Sequence, residues 1–440
     1  MPLAPNTLPA RAFQQSTRTS RLLFHWRASD LSLTPLTGQV PTFVRATGGG
    51  LVRDSQGFLR DVGQYQPRFE YYDYDSASGL WLTPGLLIEG ARTNLVVQSD
   101  ALTAANGWTL DGALVVTPNY STCGALPLSR VTGAAVDNLH RAVTLTGDGV
   151  KAFSQVVQFD GVAGTTKCGL FDLTAGVFRG RVTVTWAADG TATAVATEGT
   201  LLAFVALAVI DGKPTYRILG QASACTAVNT HRTYPHQAGT ATSIRIGGVD
   251  VENAAYPSSV IRTTTGMVQR NADVLAYTVA FNTDLEAGET DDFTAYAKFL
   301  RPVWATGTGI GSIDNPNLFA VGSASLAAAG SLEVYAGGGG VSLNAELRTG
   351  TIQASGSRTV PTTSSIEVLG QYENLATGGV CRLDVGAGFG ADSAAAAAAT
   401  ALLGGYLNLG DGSNTEAYAA FTCLKVARGL FTLAQMREAY

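Results

Sequence analysis

The 440-residue sequence is short of charge: only 14% of its residues are Asp, Glu, Lys or Arg. No basic run exceeds two residues and the net charge is −5. A nucleic-acid footprint is therefore not expected. Paired cysteines are also missing. Cys123, Cys168, Cys225, Cys381 and Cys423 are scattered and odd in number, with no CxxC. That spacing excludes a ribbon-type zinc site and suits isolated buried thiols in a reducing cytoplasm. No apolar run reaches the ~20 residues that span a bilayer, so no membrane insertion is expected. The longest run, Leu201 to Ile210, reads as a buried strand. The first twenty residues have Pro2, Pro5 and Pro9 with arginines but no apolar signal core, so neither leader nor anchor is expected.

Catalytic patterns are equally scarce. There is no G-x-S-x-G elbow. The four histidines are His25, His140, His231 and His236, and Cys225-x5-His231-x4-His236 is not a zinc spacing. His231 and His236 are expected in loops. Gly337 to Gly340 lies between two expected strands, so it reads as a hairpin turn and not as a phosphate cradle. Glu286, Glu289, Asp291 and Asp292 form one local acidic run. Glycoside hydrolysis needs two carboxylates facing each other across a cleft, and a local run reads as one solvated loop. Asp73, Asp75, Ser76 and Ser78 have alternating oxygens that suit calcium, but the EF-hand glycine and distal glutamate are missing, so a solvated turn is preferred. The sequence thus assigns no catalytic, cofactor-binding, metal-ligating or ligand-binding residue.

What is present is glycine, 51 residues of it, amid Thr, Val, Ala and Ser. This composition favours short strands and tight turns. The expected fold class is all-β: tandem β-sandwiches after an extended N-terminal arm. Residues 1–30 form the arm, which lacks periodicity. Residues 31–95 form a small β-rich region and hinge, with a hairpin turning at Asp54 to Gly57. Residues 96–265 carry strand candidates every ten to twelve residues with Gly/Asp turns, the pattern of a sandwich or jelly roll. Residues 266–284 are a linker leading into a strand, and residues 285–440 are a second sandwich. Ala394 to Ala399 predicts a short helix or a flexible loop, with propensity favouring the helix. Thr432 and Gln435 have capping-box spacing for a closing helix.

Two segments carry a family resemblance. One is Pro84-Gly85-Leu86-Leu87-Ile88-Glu89-Gly90-Ala91-Arg92-Thr93-Asn94-Leu95, preceded by Pro67-Arg68-Phe69-Glu70-Tyr71. The other runs from Gly247-Gly248-Val249-Asp250-Val251-Glu252 through Tyr256-Pro257-Ser258-Ser259 and Ile261-Arg262-Thr263 to Gln269-Arg270-Asn271-Ala272-Asp273. Together they resemble structural proteins of tailed bacteriophages. There, a "GLLIE-x-x-RTNL" segment precedes a β-sandwich and a "GGVQLE…TRAAD" segment closes it. The middle region is similar to carbohydrate-binding-module jelly rolls. The ending Ala420 to Tyr440 resembles the concanavalin/laminin-G-like sandwich.

The resemblance implies a non-enzymatic virion component: a tail fibre, tail-tip protein or head fibre or spike. It would be made in the host cytoplasm and assembled as a homotrimer. Its N-terminal region would dock on other tail or capsid proteins, and it would contribute to attachment at host surface glycans. A carbohydrate-binding adhesin, with Trp81, Trp108, Trp186 and Trp304 as candidate stacking rings, is the alternative; a polysaccharide depolymerase is the remoter one. The structural hinge motif comprises Leu87, Glu89, Arg92, Asn94, Leu95, Glu252 and Pro257. Leu87 and Leu95 are expected in the core. Arg92 is expected to pair with Glu89 or Glu252. Pro257 breaks the strand because it cannot donate to a ladder.

Overall fold

The computed structural model describes residues 21–36, 42–45, 47, 50–277, 292–300, 317–321, 331–337, 342–348, 352–359, 365–375, 378–386, 407–409 and 419–438. The fold is all-β, with antiparallel sheets packed as sandwiches.

The central sandwich has two six-stranded sheets. The first runs Thr200–Ile210, Lys213–Cys225, Gly149–Phe159, Ser243–Glu252, Leu126–Thr132, Val115–Cys123. The second runs Ala192–Glu198, Val177–Trp186, Gly164–Asp172, His231–Gln237, Leu139–Val143, Thr109–Leu110. Alternation decides which side chains face inward. Val182, Val184 and Trp186 point into the core, while Arg181, Thr183 and Thr185 point out. Phe153, Leu170, Ile218, Ile246 and Val251 join that core from both sheets. Full burial of each such side chain stabilises by about 1.5–3 kcal/mol. Gly220 lets the Phe153 ring lie against the backbone, since a Cβ there would sit 2.3 Å from Phe153 Cζ.

His231 and His236 are not in a loop. They lie on His231–Gln237, an interior strand of the second sheet. Its sequence hides this because Pro235 reads as a breaker. The pairing with Gly164–Asp172 shifts register there, and a bulge tolerates a residue with no N–H.

The terminal sandwich draws on both ends of the chain. One seven-stranded sheet runs Gly378–Asp384, Ser365–Leu375, Phe293–Leu300, Ala419–Arg428, Leu80–Ile88, Arg68–Asp75. Arg21–Arg27, placed by sequence in the arm, is a strand beside Ala419–Arg428. The opposing sheet runs Thr42–Val44, Val274–Tyr277, Leu407–Leu409, Asn317–Val321, Ser331–Gly337, Ser342–Arg348, Ile352–Thr359. Ser331–Gly337 and Ser342–Arg348 pair as neighbours around the glycine run. Thr432 caps the helix Leu433–Glu438: Gln435 N–H donates to Thr432 Oγ1, and Thr432 N–H to Gln435 Oε1 (3.2 and 2.8 Å). Cys381 lies on the strand Gly378–Asp384, whereas the alanine run, Trp304 and the acidic positions Glu286, Glu289 and Asp291 lie outside the described residues.

The chain itself covers much of the outer face of the first central sheet. The hairpin Gly50–Arg53/Leu59–Val62 turns at Asp54, whose Oδ1 accepts the Gln56 and Phe58 N–H groups. Leu51 and Leu59 pack on Leu126, Leu128, Val156 and Leu207. Beside them Trp81 packs on Val205 and Leu219, with the Arg53 guanidinium 3.5 Å above its ring.

Candidate functional site: a buried ionic neck between the sandwiches

The chain leaves the terminal sheet after Ile88 and re-enters the opposing one at Val274. The two crossings run side by side. Arg92–Asn94 pairs with Val268–Arg270, the Asp273 N–H donates to Glu89 O, and the Glu89 N–H donates to Asp273 Oδ2. The neck is thus made from the two motif segments, which lie far apart in sequence.

Its centre is ionic and buried. Arg45, Arg68, Glu89, Arg270 and Asp273 are all fully buried. Arg68 is the hub: Nη1 donates to Glu89 Oε2 and Nη2 to Asp273 Oδ2. Arg270 Nη2 lies 3.4 Å from Glu89 Oε2, and Arg45 Nη1 lies 3.5 Å from Asp273 Oδ1. Ser259 completes the Glu89 shell through its N–H and its Oγ, both at 2.8 Å. Burial alone would raise the Glu89 carboxyl, but Arg68 and Arg270 outweigh it and hold the group well below the usual carboxylate range. The Arg68 guanidinium moves the other way: burial opposes its charge, and Asp273 and Glu89 more than offset burial. Three cations face two carboxylates here. Burial and then repulsion from Arg68 lower Arg45 to about 10.

A second acidic pair adjoins this centre. Glu252 Oε1 accepts the Ser258 N–H and Oγ–H, both at 2.9 Å, while Arg92 Nε approaches Oε2 at 3.2 Å. Asp250, two residues earlier on the same strand, is buried beside it. Burial, then the Glu252 charge, pushes the Asp250 carboxyl well above its ordinary range, with Arg217 opposing. A carboxyl whose folded pKa is raised supports the fold below its unfolded pKa and loses that support as pH rises. Asp250→Asn is therefore expected to stabilise the protein by about 1–2 kcal/mol at pH 7.5, with the gain shrinking towards pH 4. Thermal melts of both proteins across that range check it, and a lower midpoint for the variant at pH 7.5 refutes it.

The remaining motif residues are also engaged internally. Asn94 Nδ2 donates to Val249 O and Ile261 O (3.0 and 2.8 Å), and its Oδ1 accepts the Val96 and Val251 N–H groups. Leu87 and Leu95 are buried, and the Leu95 N–H donates to Val251 O. Pro257 is buried after the strand end and precedes the two serines that reach Glu252 and Glu89. Arg92 lies against Glu252, whereas Glu89 is taken by Arg68 and Arg270. Sequence reasoning gave no role to Arg45, Arg68, Ser259, Arg270 or Asp273. Their signal was present in Pro67-Arg68-Phe69 and Arg270-Asn271-Ala272-Asp273, but nothing local says that those segments meet.

Elsewhere the polar candidates serve the fold. His231 Nε2 lies 3.8 Å from Asp172 Oδ2, and His236 Nδ1 shares a hydrogen bond with Thr166 Oγ1. Burial lowers both imidazoles, His236 to about 4, so both are neutral at pH 7. Asp75 accepts from Ala77 N–H, Ser78 N–H and Ser78 Oγ of its own turn. Trp81, Trp108 and Trp186 are buried and cannot serve as open stacking platforms. Among the described residues no group of three His, Cys, Asp or Glu side chains is placed to hold a metal ion, and no helix is long and apolar enough to cross a membrane.

No protein-family model and no curated protein matches the chain. Among solved structures it is similar to the mouse laminin alpha1 chain, domains LG4-5, at 11% identity over 73% of this chain and 92% of that one. The TM-score is 0.21, too low for that likeness to bear on function.

Proposed function

We propose that the chain is a non-enzymatic structural component of a tailed-phage virion, a fibre, spike or tail-tip protein that takes part in host attachment. The supporting observation is what the two phage-like segments do. Glu89 takes Arg68 of the terminal sheet together with Ser259, while Arg92, Asn94 and Glu252 tie the crossing segments to the central sheet. A catalytic carboxylate must face substrate, whereas Glu89 and Glu252 are each 1% exposed and held by buried partners. Two antiparallel crossings tied by buried ion pairs join the sandwiches, which suits a projecting appendage. In this reading the chain is a homotrimer whose N-terminal region docks on other tail or capsid proteins.

Two measurements test the proposal. Light scattering on the purified chain is expected to give the mass of three chains. Mass spectrometry of purified particles from the producing host is expected to find its peptides. A monomer at micromolar concentration together with no particle-borne peptides overturns the reading.

A further inference from the structure

Val249 and Val251 point into the central core, so Asp250 and Glu252 on the same strand point outward. An outward carboxylate on a sheet ordinarily meets water. Asp250 and Glu252 are nevertheless buried. Their cover is the segment that follows them, residues 253–259, laid back over the sheet. Glu252 Oε1 holds this cover through the Ser258 N–H and Oγ–H. Arg217 Nη2 donates to Ser258 O, and Gln221 Nε2 donates to Ala255 O at 2.8 Å. Ser259, the next residue, completes the Glu89 shell of the neck. The cover and the ionic neck are therefore consecutive.

Beneath the cover the hydrogen bonds are incomplete. Among the described residues, no hydrogen bond of good geometry reaches either Asp250 oxygen or Glu252 Oε2. The side chain within reach of Asp250 is the Glu252 carboxyl itself. An ionised carboxyl only accepts, so two of them facing each other have nothing to accept, and their charges repel. One proton between them turns one acceptor into a donor and removes one charge.

The surrounding charges do not replace that proton. Arg217, on Lys213–Cys225, is turned to Ser258 O and to Ser154 Oγ, and Ser154 is directly opposite Asp250. Arg92 faces Glu252 at 3.2 Å. From the neck, Arg270 and Glu89 act on Glu252 with opposite signs. The Ile261 N–H favours an ionised Asp250, yet burial and the Glu252 charge outweigh it together with Arg217.

We propose that Asp250 and Glu252 share one proton, and that its release to solvent unlatches residues 253–259 from the sheet beside the neck. The pair is thus a pH-sensitive latch. It is independent of the virion reading, and either can fail alone.

The sign follows from the burial. A carboxyl kept neutral in the closed form supports closure at low pH and loses that support as pH rises. Opening hydrates both carboxyls and releases one proton. The opening constant therefore grows about tenfold per pH unit until the closed pair itself ionises.

Hydrogen exchange of the full chain at the Ser258 and Ser259 amides, divided by the intrinsic exchange rate, measures that opening. Between pH 6 and pH 8 the wild-type opening constant is expected to rise about tenfold per unit. In Asp250→Asn it is expected to stay level, because the amide has no proton to lose. Infrared spectra of the wild type at pH 6 are expected to show the C=O stretch of a protonated carboxyl, absent from Asp250→Asn. A level wild-type exchange profile overturns the proposal. So does a full slope retained in Asp250→Asn, which assigns the titration to another group. Absence of the protonated-carboxyl band from the folded wild type overturns it whether or not the variant folds, and so does survival of that band in the variant.

Discussion

Glu89→Gln is expected to destabilise the protein by about 3–5 kcal/mol at neutral pH, the usual cost of breaking a buried ion pair. The amide keeps the shape but removes the charge that Arg68 and Arg270 face. Three buried guanidiniums would then share Asp273 as the carboxylate left at the centre. Adding Arg45→Met is expected to recover part of the loss, because it removes one of those cations. The pH dependence has a fixed sign. Glu89 is depressed in the fold, so its contribution is present above its unfolded pKa and is lost as pH falls towards the folded one. The gap between wild type and Glu89→Gln should therefore be full at pH 7 and narrow below about pH 4.3, the ordinary glutamate value. Urea unfolding at both pH values measures it. A neutral-pH difference under about 0.5 kcal/mol, the scale of an ordinary surface substitution, would show that the neck is not an ionic lock.

Deleting residues 419–440 is expected to abolish the terminal sandwich while sparing the central one. Ala419–Arg428 pairs with Phe293–Leu300 along one edge. On its other edge it pairs with Leu86–Ile88 and then with Arg21–Arg27. Its loss opens three strand edges at once and removes Phe421, Leu424 and Val426 from the interior. No residue of the central core comes from that strand. Limited proteolysis with mass spectrometry should therefore yield one protected fragment bounded near residues 92 and 270. Retention of intact chain would refute the proposed role of the closing strand. Degradation of the central fragment at the same rate would refute its independence.

Much of the local structure was legible without coordinates. Alternation in Arg179 to Trp186 announces a strand, and the Asp/Gly turns at 187–190 and 211–214 announce hairpins, since side-chain period and turn chemistry are local properties. The hairpin at Asp54 and the Thr432 cap were readable for the same reason. His231–Gln237 was missed because a central proline outweighed its pattern until a bulge accommodated it. The candidate site was legible only as fragments. Glu89, Arg92, Asn94 and Glu252 stood out, but Arg68 and Asp273 gave no sign of their partnership. Their contact spans 205 residues and depends on two crossings meeting.

By itself the sequence determined the fold class, the strand-rich middle and the polar content of the two anchor segments. Each follows from composition, a period of two and turn residues, which act over a few positions. Only the tertiary structure decided that Arg21–Arg27 and Ala419–Arg428 share one sheet, and that five charged groups converge at the neck. Those outcomes depend on pairing between distant edges, where many registers satisfy the same local pattern and burial of the whole core selects one.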